Sequence, residues 1–484
     1  MSLQMEPKVG KYILDSLSIG MYSHPLMLIR EYIQNSTDAI DEAIRNGFLS
    51  IDQARIDIKI DGKNRNLTIK DNGAGISFRN AWNILLDLGN STKRINENRG
   101  FRGIGRLGGL GYCDVLKFVT KATNEDMLSI NTWNCEKLRQ LIKEENHLDS
   151  INAVKAATDF QQISYKGSRK DHFFEAIMLD LRSSRDILMN VPLIKEYISE
   201  VAPVPYKRDK FGLADKIEIE LRKRVPKYET YRIFVNDEQI FKPYMDTVIL
   251  RGDKKDKIQD VEFIEFKEEN MILAFGWLAQ LKLLGSISNF SRVGGIRVRG
   301  GNIQIGNRDL LNEFFREGRF NSYLLGEIFT IDERLVPNSR RDDFEDSPYR
   351  EEFYEQFIRR IGLPFSKIIR QKSQERSKKK ILDKDIFLID QAKNMINTGY
   401  LAEGQKRWVI GALTRLKGKN HQENNLDEII FRVGQAKHYI NMNSRKGKYR
   451  HKADLKEILE IVYRESEDKG KAIKLINKIL NVSN

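Results

Sequence analysis

The sequence predicts an α+β protein in three parts: helices layered on a sheet over residues 1–207, a second α+β domain over 208–370, and a basic helical region over 371–484. Three observations carry this. Apolar residues recur at helical spacing from about Lys11 to Asn46 and then switch to strict alternation in ARIDIKIDGKNRNLTIKDNG, and these are the two periods that separate helix from strand. Pro203 and Pro205 break the pattern near residue 207. From ERSKKK onward the apolar spacing is heptad-like and turn signals are few. At 484 residues the chain is too long for one ordinary core.

In chain order, the first helix is followed by a hairpin with a turn signal at Asp61-Gly62. A short helix is expected at FRNAWNILLDL, then a glycine-rich run, then the strand VLKFVTKA. The segment DILMNVPLIKEYISEVA, residues 186–202, reads as helix. In the second domain KIEIELR, YRIFVNDEQIF and GIRVRGGNIQIG read as strands, with Asn236-Asp237 and Gly300-Gly301 as hairpin turns.

Hydrophobic residues make up 40% and charged residues 31% of the chain, the balance of a soluble globular protein. The most apolar stretch, MILAFGWLAQLKLLG at 271–285, is shorter than the roughly 20 residues of a membrane span and carries Gln280 and Lys282. No membrane association is expected. The N-terminal residues lack the pattern of a secretory signal, so a cytoplasmic location is expected. Cys113 and Cys135 imply neither a disulfide framework nor a zinc site. Of the net charge of +14, residues 371–484 hold a surplus of 11, from 25 Lys plus Arg against 14 Asp plus Glu.

Three motifs point to chemistry. In LIREYIQNSTDAIDEA, residues 28–43, Glu31, Asn35 and Asp38 are four and three apart and share one stripe of the helix. A carboxylate and an amide one turn apart can hold a water and a hard cation. Arg30, Tyr32, Gln34, Thr37 and Asp41 are expected on the remaining helix surface. In LTIKDNGAGIS a strand ends at Asp71, and Gly73 and Gly75 allow close backbone approach. The aspartate there can accept a hydrogen bond from an exocyclic amine. In NRGFRGIGRLGGLG, residues 98–111, glycines leave backbone N–H groups free to converge on phosphate. Each alone also fits a plainer account: a solvated face, an Asx turn, a flexible loop.

The order of ExxxNxxDA helix, DxGxG strand end, glycine loop and KFVTKA resembles the GHKL ATPase superfamily of gyrase, heat-shock protein 90, histidine kinase and MutL. LSIGMYSHPLMLIREYIQNSTDAIDEA is most similar to the heat-shock protein 90 branch. The resemblance covers about residues 8–125 closely and extends more loosely to about 345. It implies a Bergerat-type ATP-binding α/β sandwich and a magnesium-dependent ATPase. By resemblance Glu31 polarises the attacking water and Asn35 helps hold Mg2+. Asp71 reads the adenine amine beside Thr120, and Asp38 shapes the pocket. Gly73, Gly75, Gly100, Gly103 and Gly105 supply close backbone approaches. LGNSTKRINENRGFRG, residues 88–103, occupies the place of the family's ATP lid, with Ser91, Thr92 and Lys93 in reach of phosphate.

GEIFTIDERLVPNSRRDD, residues 326–343, resembles the middle-domain segment that presents a basic residue to the γ-phosphate. Arg340 or Arg341 is that residue, and a surface ion-pair loop is the alternative. The resemblance further implies a homodimer closed by ATP. Two clients fit: a protein to be remodelled, as for the chaperones, or DNA, as for MORC and MutL proteins. The basic tail and its NSRKGKYRHK run motivate the second.

Overall fold

A computed structural model describes residues 24–86, 105–143, 150–268, 271–338, 340–397 and 408. Residues 88–103, expected as the lid, and the NSRKGKYRHK run lie outside the described residues. The chain divides into two compact units, Met1–Ile369 and Arg370–Asn484.

Helix α1 spans Leu26–Arg45. His24 Nδ1 accepts from the Leu26 N–H at 3.3 Å, satisfying one donor that the first turn leaves without an intrahelical partner. The hairpin follows as β1 (Arg55–Asp61) and β2 (Asn66–Asp71), paired antiparallel from Ile56↔Asp71 to Asp61↔Asn66. Helix α2 (Phe78–Leu86), a 3-10 segment (Gly105–Gly111), β3 (Cys113–Lys121) and β4 (Met127–Asn134) come next. Then come α3 (Cys135–Lys143), α4 (Ser150–Ala157), β5 (Thr158–Ser164), β6 (Phe173–Leu181), α5 (Val191–Val201) and α6 (Ala214–Arg224).

Strands β7 (Arg232–Val235) and β8 (Glu238–Gln239) complete an eight-stranded sheet in the order β5-β4-β3-β6-β2-β1-β7-β8. Asn236 and Asp237 turn this second hairpin with φ of 46° and 65°, the left-handed pair that a two-residue hairpin needs. β7 runs parallel to β1, from Arg55↔Arg232 to Ile58↔Val235. The first sheet therefore draws on chain beyond residue 207. Leu28, Ile29, Ile33 and Ile40 of α1 join Ile58, Ile69, Phe118 and Met178 in the core beneath this sheet.

The second lobe holds a small hairpin, β9 (Thr247–Ile249) with β10 (Lys255–Lys257), and a five-stranded sheet. Its strands are β11 (Val261–Glu268), β12 (Met271–Ala279), β13 (Gly295–Gly300), β14 (Ile303–Ile305) and β15 (Leu325–Thr330), ordered β11-β12-β15-β13-β14. Apolar layers cover both of its faces. Ala274 and Ile328 face one core and Phe275 and Phe329 the other. That double burial explains why the 271–285 stretch is almost continuously apolar. Helices α7 (Pro348–Phe357) and α8 (Leu363–Asn397) follow, and among the described residues no helix is long and apolar enough to cross a membrane.

Two sequence expectations are corrected. KIEIELR is not a strand but lies in α6, where Ala214, Ile217 and Leu221 are buried at helical spacing while Ile219 is 53% exposed. Its alternation was a by-product of a narrow apolar stripe, and Arg222, Lys223 and Arg224 sit in the last turn, where the helix dipole favours cations. The turn expected at Gly300-Gly301 falls one residue later, with Gly301 and Asn302 at φ of 54° and 64°. Cys113 and Cys135 are both buried free thiols.

Candidate active site

Helix α1 is enclosed on nearly every side. Arg30, Tyr32, Gln34 and Thr37, expected on its surface, are buried at 3%, 2%, 1% and 0% exposure, and Asp38 at 5%. What stays partly open in its central turns is one stripe containing Glu31, Asn35 and Ala39. The carboxylate and amide singled out by spacing are thus the polar groups the fold leaves reachable, with Asp38 set into the wall beside them.

The floor is a loop held tightly against α1. Ala74 N–H donates to Ala39 O at 2.9 Å, and the Asp71 Oδ1 accepts from the Gly73 N–H at 2.9 Å. A Cβ on Gly73 would lie 2.6 Å from the Ala39 carbonyl carbon and Cβ. Gly75 has φ of 67°, and a Cβ there would overlap the Lys121 carbonyl oxygen. Both glycines are therefore required by the loop's own packing, whatever ligand binds. Asp71 and Thr120 stand on either side of Phe174, which pairs with Asp71 across β2–β6 and with Thr120 across β3–β6. They form one row on one face of the sheet, because directly paired residues point the same way. Thr120 Oγ1 accepts from the Ile76 N–H at 2.8 Å and donates to Phe173 O at 3.1 Å.

The second lobe supplies the remaining wall. Arg341 Nε lies 3.5 Å from Glu31 Oε1, and Arg30 Nη2 lies 3.7 Å from the same oxygen. Arg30 also donates to Arg340 O at 3.1 Å and Arg341 O at 3.4 Å, so the helix grips the backbone that carries the two arginines. Arg341 is in the left-handed region at φ 53°. Its side chain is 12% exposed, whereas Arg340 is exposed. The structure thus distinguishes the two arginines by geometry.

Several participants carried no sequence signal. Tyr32 donates from its hydroxyl to Arg106 O at 2.6 Å, tying α1 to the 3-10 segment, and burial pushes its phenol well above the ordinary value. The ring nitrogen Nδ1 of His172 is 2.8 Å from Gly73 O. Lys121 is buried and donates to Asp171 O, Arg169 O and Ala122 O at 2.6, 3.1 and 3.2 Å. Tyr197 of α5 faces the charges of Arg30 and Glu31, and burial pushes its hydroxyl up to about 12. Each of these groups bonds backbone or packs from a distant element, which no local motif encodes. Ser91, Thr92, Lys93, Gly100 and Gly103 lie outside the described residues, and Gly105 begins the 3-10 segment.

Residues 23–166 match the family model described as histidine kinase-, DNA gyrase B-, and HSP90-like ATPase. Chaperone protein HtpG of Rhodococcus jostii is 33% identical over 87 residues, 17% of this chain and 14% of that relative. HtpG of Mycolicibacterium gilvum is 38% identical over 74 residues, 14% of this chain and 11% of its own. HtpG of Mycobacterium avium is 34% identical over 88 residues, with the same 17% and 14% coverage. The matched stretch therefore spans a small fraction of these relatives.

Proposed function

We propose that this chain, whose residues 23–166 form a histidine kinase-, DNA gyrase B- and HSP90-like ATPase domain, binds and hydrolyses ATP with magnesium. We further propose that it works in the cytoplasm as a homodimer whose ATP-driven closure remodels a protein client. The observation that carries the catalytic reading is the open stripe of a buried helix, with Glu31 and Asn35 on it and Arg341 at Glu31.

The roles follow from the chemistry of each group. Asp71 accepts the adenine amine on a carboxylate whose orientation the Gly73 N–H fixes. The Asn35 amide oxygen, together with phosphate oxygens, suits the hard, oxygen-seeking Mg2+ ion, which neutralises phosphate charge when bound. Glu31 takes the proton of the attacking water, and Arg341 stabilises charge on the transferring phosphoryl group. Arg341 lies against Glu31. An entering phosphate competes for that guanidinium, which leaves the carboxylate to its work as base.

The experiment is to measure ATP affinity by calorimetry and magnesium-dependent phosphate release for the wild type and Asp71→Asn. Asparagine keeps one oxygen, which the Gly73 N–H engages, and turns an NH2 donor toward the adenine amine, so binding should weaken about 10- to 100-fold. Unchanged affinity would refute the adenine assignment. A second reading, an ATP-dependent clamp on DNA, is favoured by the surplus of 11 positive charges over residues 371–484. Stimulation of the ATPase by duplex DNA that falls steeply with salt would select it, and stimulation by an unfolded protein would select the chaperone reading.

A further inference from the structure

Helix α5 joins the two lobes. On one side it packs against α1. On the other, its C-terminal end is gripped by three arginines of the segment that enters and forms β13. Arg292 donates to Glu196 Oε2 at 2.6 Å and to Glu200 Oε1 at 2.5 Å. Arg297 Nη2 is 3.6 Å from Glu200 Oε2. Arg299 donates to Glu200 O at 2.7 Å and to Val201 O at 3.4 Å, capping carbonyls that the helix end leaves without partners.

These contacts close a ring. β13 pairs with β15 in parallel, Arg297↔Glu327 and Arg299↔Phe329. β15 leads into the loop whose Arg341 reaches Glu31 on α1. From α1 the ring returns through α5 to the arginines. Arg30 and the Tyr231 hydroxyl, which donates to Asp41, are further joints directly on α1. The α5 joint is the one made of charge pairs remote from the reacting groups.

We propose that Arg292, with Arg297 and Arg299, is a positioning group for the reaction: by holding Glu200 and the last carbonyls of α5 it fixes the lobe that delivers Arg341 to Glu31. The proposal rests on the ATPase reading above. Arg292 is its accessible member, with a side chain 37% exposed, whereas Arg297 and Arg299 are fully buried. Truncating Arg292 leaves the largely buried Glu200 carboxylate with Arg297, 3.6 Å away, as a cation beside it, and Glu200→Gln tests the same joint without leaving that carboxylate.

The test uses the full chain and compares wild type, Arg292→Ala, Arg292→Lys and Glu200→Gln. It measures kcat and KM for ATP, thermal stability, and hydrogen exchange at two amides of the Arg341 loop. Those amides are Arg341 N–H, bonded to Asn338 O at 3.0 Å, and Gly306 N–H, bonded to Arg341 O at 2.8 Å. Misplacement of a reacting group costs rate without costing substrate binding, so Arg292→Ala and Glu200→Gln should lower kcat about tenfold at unchanged KM. Exchange at both amides should quicken, and Arg292→Lys should restore most of kcat. A kcat within about twofold of wild type in both variants overturns the proposal, as does a rate loss with unchanged exchange. If the wild type releases no phosphate, the ATPase reading fails, and unchanged exchange in Arg292→Ala separately overturns the clasp.

Discussion

Glu327→Gln is the perturbation whose cost the structure specifies best. The Glu327 carboxylate is fully buried and accepts from Lys242 Nζ at 3.0 Å on each oxygen. It also accepts from the Tyr206 and Tyr244 hydroxyls at 3.0 Å and from Arg299 Nε at 2.6 Å. Burial opposes its ionisation, but Arg299 and then Lys242 outweigh it and hold the carboxyl at about 2 against an ordinary 4.5. At about 1.4 kcal/mol per pH unit that difference corresponds to roughly 3 kcal/mol. A second route agrees, since removing one partner of a buried ion pair costs about 3–5 kcal/mol. Glutamine keeps the volume and leaves two interior cations facing each other. Lys242, which burial and then Arg299 already pull down to about 7 even with Glu327 beside it, sheds its proton below that pH once Glu327 is gone, so the loss should shrink as pH rises toward 7 and level off above it. The assay is urea unfolding of the full chain followed by tryptophan fluorescence, because Trp277 packs on Tyr206 and Tyr244. The pH sign is fixed: the folded carboxyl is the stronger acid, so the unfolded chain takes up the proton first. Wild-type stability should fall between about pH 4.5 and 2, and Glu327→Gln should lack that share of the slope. A loss below about 1 kcal/mol at neutral pH would refute the reasoning.

Two further outcomes follow from the site. Gly73→Ala places a Cβ 2.6 Å from Ala39 and 2.8 Å from Ile40 N, which should cost about 1–3 kcal/mol in thermal unfolding and weaken ATP binding; unchanged values would mean the loop is not packed as described. Arg341→Ala should slow phosphate release about 100- to 1,000-fold, while Arg340→Ala should change it by less than about threefold. The reverse ranking would reassign the arginine.

What the sequence made legible was local. The hairpin came from alternation, and the Asn236-Asp237 turn came from residue types that tolerate positive φ. Glu31 and Asn35 were singled out by their spacing and given roles by the resemblance, and the stripe they share is what neighbouring elements leave open. What stayed hidden depends on chain brought from far away. Strands β7 and β8 extend a sheet begun more than 150 residues earlier. KIEIELR alternates like a strand, yet tertiary burial of Ala214, Ile217 and Leu221 decides for helix. Arg340 and Arg341 are indistinguishable as neighbours in sequence, and only the left-handed backbone at Arg341 together with the Arg30 grip turns one of them toward Glu31. The α5 clasp is likewise invisible, because Glu200 and Arg292 meet only when two lobes fold together.

The central claim is that Glu31 acts on the attacking water. It is tested most directly by single-turnover hydrolysis of ATP by the full chain carrying Glu31→Ala, with ATP affinity measured on the same preparation. The account predicts retained binding and a hydrolysis rate at least about 100-fold lower, the scale on which a positioned general base contributes. Hydrolysis at the wild-type rate with ATP still bound would contradict it.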